Sequence, residues 1–166
     1  MTVRKGEVMG NRKQFDYYIF IDYSEDLIGF IVIKGEEISK ILPKIVRFRH
    51  YKEVKHKTEY LRSIRRLIER SNLYSNLVLI KVIELRKRTE LFNEIKNFIG
   101  TNYNRSIFLS LDNQQQGSFE RFFHQINFSG VKVVLEGDLT RHSPEYNINL
   151  IIDNILNIER NRHNPK

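Results

Sequence analysis

The sequence of 166 residues contains no cysteine. This absence excludes disulfide bonds, zinc sites built from thiolates and a cysteine nucleophile. No hydrophobic run approaches the ~20 residues needed for a membrane-spanning helix, and residues 1–15 have no apolar core of the kind found in signal peptides. Glycine-rich phosphate loops of the P-loop or dinucleotide type are also missing. From these absences we expect a soluble, cytoplasmic protein that has no association with membranes.

Positive charge is abundant and unevenly distributed. The chain has a formal net charge of +8, and residues 1–88 carry 20 basic against 11 acidic side chains. Within them, residues 44–70 contain ten basic and three acidic side chains. A one-sided basic field is typical of proteins that bind nucleic acid, although a solvated helix face in a lysine-rich protein has the same composition. The candidates for binding the phosphates of DNA or RNA are Arg47, Arg49, His50, Lys52 and Lys55.

The first half of the predicted domain is rich in β-forming residues. We expect a single domain over residues 15–160, between a flexible basic arm at 1–14 and a polar tail at 161–166. Aromatic and β-branched runs separated by short turns predict an antiparallel meander of three strands. These strands are predicted at residues 15–22, 27–34 and 38–48.

The second half alternates between helical and strand patterns. Helical spacing of apolar residues predicts helices at 58–70, 89–99, 118–128 and 143–160. Apolar runs predict strands at 77–83, 107–111 and 131–135, the first of them central and covered on both faces. With right-handed crossovers, this order predicts an α/β fold with a mixed sheet of five or six strands and helices on both faces.

Three aspartates occupy positions where ligands commonly bind. Asp22 ends the first strand, Asp112 follows strand 107–111, and Asp153 interrupts an isoleucine-rich stretch of the last helix. Because ligands gather at the carboxyl ends of strands in α/β sheets, we expect these side chains to converge. Asp22 and Asp112 also fit as a turn former and a helix cap, and Asp153 fits a solvent-facing position. Further candidates are Glu84, at the end of strand 77–83, and Asp138.

Converging carboxylates repel one another, so a site of this kind needs a divalent cation. Oxygen ligands suit Mg²⁺ or Mn²⁺, and a pair of such ions about 3.5–4 Å apart can promote phosphodiester cleavage. The sequence therefore predicts Asp22, Asp112 and Asp153 as catalytic metal ligands, supported by Glu84 or Asp138.

These elements resemble the ribonuclease H-like (retroviral integrase) fold. The chain is similar in particular to a family of uncharacterised predicted nucleases whose first strand ends in Asp-Glu-Ser-Gly and whose last helix carries Gln-x-x-Asp. The matching stretches are Asp22-Tyr23-Ser24 and Asn149-Leu150-Ile151-Ile152-Asp153, and Tyr23 stands where the family has its second acid. The resemblance implies a metal-dependent nuclease.

Two other functions remain open from the residues alone. The chain fits a non-catalytic nucleic-acid-binding or structural member of the same fold, and it fits a protein-interaction domain. The spatial arrangement of the three aspartates separates these hypotheses, because only a metal-dependent enzyme requires their carboxylates to meet. The sequence predicts neither the choice between DNA and RNA nor an oligomeric state.

Overall fold

A five-stranded mixed sheet forms the centre of the protein. The computed structural model describes residues 14–123 and 130–163. The strands are β1 (Tyr17–Ser24), β2 (Leu27–Lys34), β3 (Leu79–Glu84), β4 (Ile107–Leu111) and β5 (Val131–Leu135). Their spatial order is β3-β2-β1-β4-β5. β2 is antiparallel to β1 and β3, whereas β4 is parallel to β1 and β5. The predicted α/β class and mixed sheet are confirmed.

Helices cover both faces of this sheet. They are α1 (Ile38–Ile41), α2 (Lys57–Ser71), α3 (Arg88–Thr101), α4 (Gln116–Phe123) and α5 (Pro144–His163). Alternate residues of a strand point to opposite faces; accordingly, Tyr18 and Phe20 of β1 pack in the core that contains α1, α2 and α5, whereas Ile19 and Ile21 pack in the core of α3 and α4. In the described residues, no helix has the length and apolar character needed to span a bilayer.

The predicted third strand at 38–48 is wrong, because this segment is helical. It forms α1 and then the 3-10 turn Leu42–Ile45. The buried side chains are Ile38, Ile41, Ile45 and Phe48, whose spacing of three and four residues is helical rather than alternating. Pro43 lies near the start of the 3-10 turn. Backbone N–H groups at this position have no partner within the turn, so the lack of an N–H in proline costs no hydrogen bond.

The third strand of the meander is instead β3, which reaches the sheet after α1 and α2. The prediction that this apolar run is a central strand is wrong. β3 pairs with β2 alone and lies at the edge of the sheet, and Leu79 and Ile80 are 42% and 37% exposed. A short apolar run does not reveal how many of its faces are covered.

Parts of three predicted segments fall outside the described residues. Residues 1–13 of the predicted basic arm, residues 124–128 of the predicted helix 118–128 and residues 164–166 of the predicted tail lie outside the description. The last helix extends to His163, past the predicted end near Arg160.

A glycine brings α5 close to the sheet. Gly29 of β2 lies directly opposite Asp22 of β1. A Cβ atom at Gly29 would lie 2.9 Å from the Lys81 carbonyl oxygen and 3.0 Å from Cδ1 of Ile152 on α5. The absence of a side chain therefore lets α5 pack tightly on β1 and β2, and the next residue of α5 is Asp153.

Candidate metal centre

Three acidic side chains converge at one edge of the sheet. Asp22 lies near the end of β1, and Asp112 and Glu136 directly follow β4 and β5. Because these neighbouring strands are parallel, their carboxyl ends meet. One carboxylate oxygen from each residue lies within 4.8 Å of the others. We call Asp22, Asp112 and Glu136 the acidic triad.

Asp22 is the most enclosed member of the triad. Its side chain is 4% exposed, and its Oδ1 accepts a hydrogen bond of 2.8 Å from the Tyr23 N–H. Burial raises the pKa of the Asp22 carboxyl well above its ordinary value, and the neighbouring charges of Glu136, Asp153 and Asp112 raise it further. A cation placed among these groups would remove that repulsion.

Short loops hold Asp112 and Glu136 in fixed relative positions. Oδ1 of Asp112 caps the following 3-10 turn by accepting a 2.8 Å bond from the Gln114 N–H, so the expected capping role exists beside its place in the triad. The Gly137 N–H donates to Oδ1 of Asn113 at 2.9 Å. A Cβ atom at Gly137 would lie 2.9 Å from the Asn113 amide. Asn113 directly follows Asp112 and Gly137 directly follows Glu136, so this hydrogen bond connects the two loops that carry the acids.

Glu136 is oriented by the last helix. Its Oε1 accepts a 2.9 Å hydrogen bond from Nδ2 of Asn149 on α5. Burial, followed by the charge and hydrogen bond of Asp112, raises the pKa of Glu136 to about 7. The Glu136 carboxyl therefore keeps its proton up to about neutral pH when no cation is bound. Clustered carboxylate oxygens are the donor set preferred by Mg²⁺ and Mn²⁺, so these residues fit the expected metal.

Asp153 lies beside the triad without belonging to it. The residue is buried on α5, and its Oδ2 accepts a 2.9 Å hydrogen bond from the Tyr51 N–H. Burial raises the pKa of Asp153, while His50, the Tyr51 N–H and Lys52 oppose the rise. This burial excludes the alternative of a solvent-facing Asp153. Asp153 is a fourth carboxylate in the same cleft.

The two further predicted acids lie outside the triad. Glu84 ends β3, which is separated from β1 by β2, and its carboxylate forms a 2.6 Å ion pair with Arg86. Asp138 is exposed on the 3-10 turn that begins at Glu136. Their support of a bound metal stays a prediction.

Glu136 was not predicted from the sequence. The signal was present, however, because Glu136 follows Leu135 of β5 just as Asp112 follows Leu111 of β4. The first polar residue after each parallel strand is the one that reaches the shared edge. Asp138 comes two residues after Glu136, at the end of the 3-10 turn that follows β5.

The acids line one cleft of about 590 Å³. Of the five residues predicted to bind phosphate, His50 and Lys52 line this cleft, and Nε2 of His50 lies 4.0 Å from Oε1 of Glu136. Arg49 lines a neighbouring groove instead. Arg47 and Lys55 are exposed and do not line the acidic cleft.

Comparisons with known proteins show a likeness in structure and none in sequence. No protein-family model and no curated protein matches the sequence. A chain in the structure of the PCNA:RNase HII complex from Archaeoglobus fulgidus is similar, with a TM-score of 0.42 and 12% sequence identity. The similarity covers 89% of this chain and 73% of that chain.

Proposed function

We propose that this protein is a divalent-metal-dependent nuclease that hydrolyses phosphodiester bonds of DNA or RNA. The observation that carries the proposal is the meeting of the acidic triad at the carboxyl ends of three adjacent parallel strands. Buried carboxylates with raised pKa values are costly to ionise, and such groups in a cleft are characteristic of functional sites.

In this proposal the triad would hold Mg²⁺ or Mn²⁺. Such an ion, when bound, supplies Lewis acidity towards a phosphoryl oxygen and lowers the pKa of a water nucleophile. The chain orients the ligands in advance, because the Tyr23 N–H, the Gln114 N–H and the Asn149 amide each fix one carboxylate. Asp153 would add negative charge that attracts the cation.

His50 and Lys52 would bind the phosphates of the substrate. Both belong to the segment 49–53, whose Tyr51 N–H is bonded to Asp153, and both line the cleft next to the acids. An acidic cleft alone repels nucleic acid, so basic side chains at its margin are required for binding. Arg47, Arg49 and Lys55 would extend this field over the adjacent surface.

The second candidate function is nucleic-acid binding without catalysis. It is favoured by the hydrogen bonds that the acids already make within the protein, since Asp22 and Asp112 bond backbone N–H groups. Such bonds stabilise carboxylates without any metal. In this case binding would persist and cleavage would be absent.

Cleavage of labelled DNA and RNA, single-stranded and duplex, with Mn²⁺ separates the two functions. The proposal predicts cleavage by the wild type and its loss in Asp22→Asn, a nearly isosteric change. Asp26→Asn is the matched control, because Asp26 is exposed on the adjacent turn and outside the triad. Activity that survives in Asp22→Asn means a contaminant or another site. Salt-sensitive binding without cleavage supports the non-catalytic alternative.

A further inference from the structure

The acidic cleft is also lined by cations. Lys52, Lys57 and Arg160 belong to its lining together with the triad and Asp153. Lys57 begins α2, and Arg160 lies in the last turns of α5. The folded chain therefore brings together cations that are far apart in sequence and places them beside four carboxylates.

The Tyr51 ring lies next to two of these cations. Nζ of Lys57 lies 5.3 Å and Cζ of Arg160 lies 5.5 Å from the centre of the Tyr51 ring. Both distances are in the range of cation–π attraction. The Tyr51 backbone is held by Asp153, so the ring and its two cations keep a fixed position relative to the acids.

The cations retain unused binding capacity. In residues 14–123 and 130–163, no carboxylate forms an ion pair with Lys52 or Lys57, and Nζ of Lys57 donates to the Val54 carbonyl oxygen at 2.7 Å. Arg160 pairs with Glu25 at 2.6 Å. Its Nε, however, is buried and has no hydrogen-bond partner among the described residues. A ligand with several acceptor oxygens in the cleft would satisfy the N–H donors of Lys52 and Lys57 and those of the Arg160 guanidinium that face the cleft.

We propose that Lys52, Lys57 and Arg160 form a phosphate-binding subsite for an unpaired nucleic-acid strand. The inference deepens the proposed nuclease function and rests on it. Arginine and lysine bind phosphate through charge-assisted hydrogen bonds. A phosphate at this subsite places the adjoining part of the strand over the acidic triad. The cleft volume of about 590 Å³ is within the range of small-ligand pockets, so we expect it to take one strand rather than both strands of a duplex.

Strand binding by variants tests the subsite. The probes are fluorescent single-stranded DNA and RNA of one sequence, and the duplex of that DNA. All binding variants carry Asp22→Asn so that no strand is cleaved. Lys57→Gln and Arg160→Gln are expected to weaken strand binding roughly tenfold or more. Each lowers the log–log salt slope by about 0.7, the contribution of one phosphate contact in a single strand.

Two further variants control for charge and folding. Lys132→Gln removes the same charge from an exposed position on β5 outside the cleft and is expected to leave binding nearly unchanged. Arg160→Lys keeps the cation and is expected to restore part of the affinity. Thermal melting of each variant shows that its fold is intact.

The outcomes separate this inference from the proposed function. Equal effects of Lys57→Gln and Lys132→Gln, or tighter binding of the duplex than of the strand, overturn the subsite. Absence of strand binding by the parent chain overturns it as well. If wild type cleaves and Lys57→Gln cleaves with an unchanged KM, the subsite fails and the nuclease stands. If nothing is cleaved but binding depends on Lys57, the nuclease fails and the phosphate subsite stands.

Discussion

Asp153 on the last helix accepts a hydrogen bond from the backbone N–H of Tyr51, 102 positions earlier in the chain. Asp153→Ala would leave this N–H without its partner, which costs about 1–3 kcal/mol. We expect the free energy of unfolding in urea to fall by that amount. Asp153→Asn keeps an acceptor oxygen and removes a buried charge, so its stability should match or exceed that of the wild type. Equal losses in both variants would contradict this role of the bond.

A divalent cation should stabilise the folded protein through the acidic triad. At a concentration 100 times its Kd, binding to the folded state alone contributes about 2.7 kcal/mol. For a chain of this size, each kcal/mol raises Tm by about 2–4 °C, so Mn²⁺ should raise Tm by about 5–10 °C. Asp22→Asn and Glu136→Gln should abolish the shift.

Glu84→Gln and Asp138→Asn are the matched controls for this shift. Both remove a carboxylate near the same edge of the sheet but outside the triad, so both should keep the full response to Mn²⁺. A melting curve that Mn²⁺ leaves unchanged in the wild type would refute the metal centre. A response lost in Glu84→Gln would place the ion elsewhere.

Stability without metal should fall as the pH rises. The pKa of Glu136 is raised from 4.5 to about 7, so between these pH values the folded state binds more protons than the unfolded state. Its contribution to stability is therefore complete below pH 4.5 and lost as the pH passes about 7. The decline should be smaller in Glu136→Gln, as measured by urea unfolding across this range.

The same titration predicts a pH-dependent response to metal. Cations bind ionised carboxylates, so Mn²⁺ should raise Tm more at pH 7.5 than at pH 5.5. A larger shift at the lower pH would be inconsistent with carboxylate ligation by Glu136.

A methyl group at Gly29 should displace α5. Its Cβ would lie 3.0 Å from Cδ1 of Ile152 and 2.9 Å from a backbone oxygen, and overpacking of this kind costs about 1–3 kcal/mol. Gly29→Ala should therefore lower the free energy of unfolding by about that amount. Gly100→Ala is the control, because a Cβ atom there meets nothing within 4 Å. That substitution on α3 should be neutral or stabilising.

The parallel part of the site could be predicted from sequence because its signals are local. Asp22 and Asp112 each follow a short apolar run, and the rule that ligands gather at the carboxyl ends of strands brings them together. The same rule applies to Glu136, which directly follows β5, whereas the predicted residue Asp138 lies two residues later and outside the triad. The difference of two residues depends on where β5 ends, and strand ends are weakly encoded.

The proposed phosphate-binding subsite was harder to predict because it depends on tertiary packing. Lys57 and Arg160 meet at the Tyr51 ring only after α2 and α5 pack on the same face of the sheet. Charge density along the chain instead favours Arg47 and Lys55, which are exposed and do not line the cleft. Segment 38–48 is a smaller example. Its sequence pattern also fits the alternation of a strand, and only the packed structure shows that the buried side chains have helical spacing.

The segment 49–53 is attached to the rest of the protein largely through its main chain. The Tyr51 N–H binds Asp153, the Arg49 carbonyl accepts from Asn154 Nδ2, and the Tyr60 hydroxyl bonds both main-chain groups of Arg49. These attachments do not use the Lys52 side chain, whereas the His50 imidazole caps the 3-10 turn Tyr51–Glu53 by accepting a bond from the Lys52 N–H. The side chain at position 52 can therefore change, and with it the preferred ligand, while the loop keeps its place at the cleft.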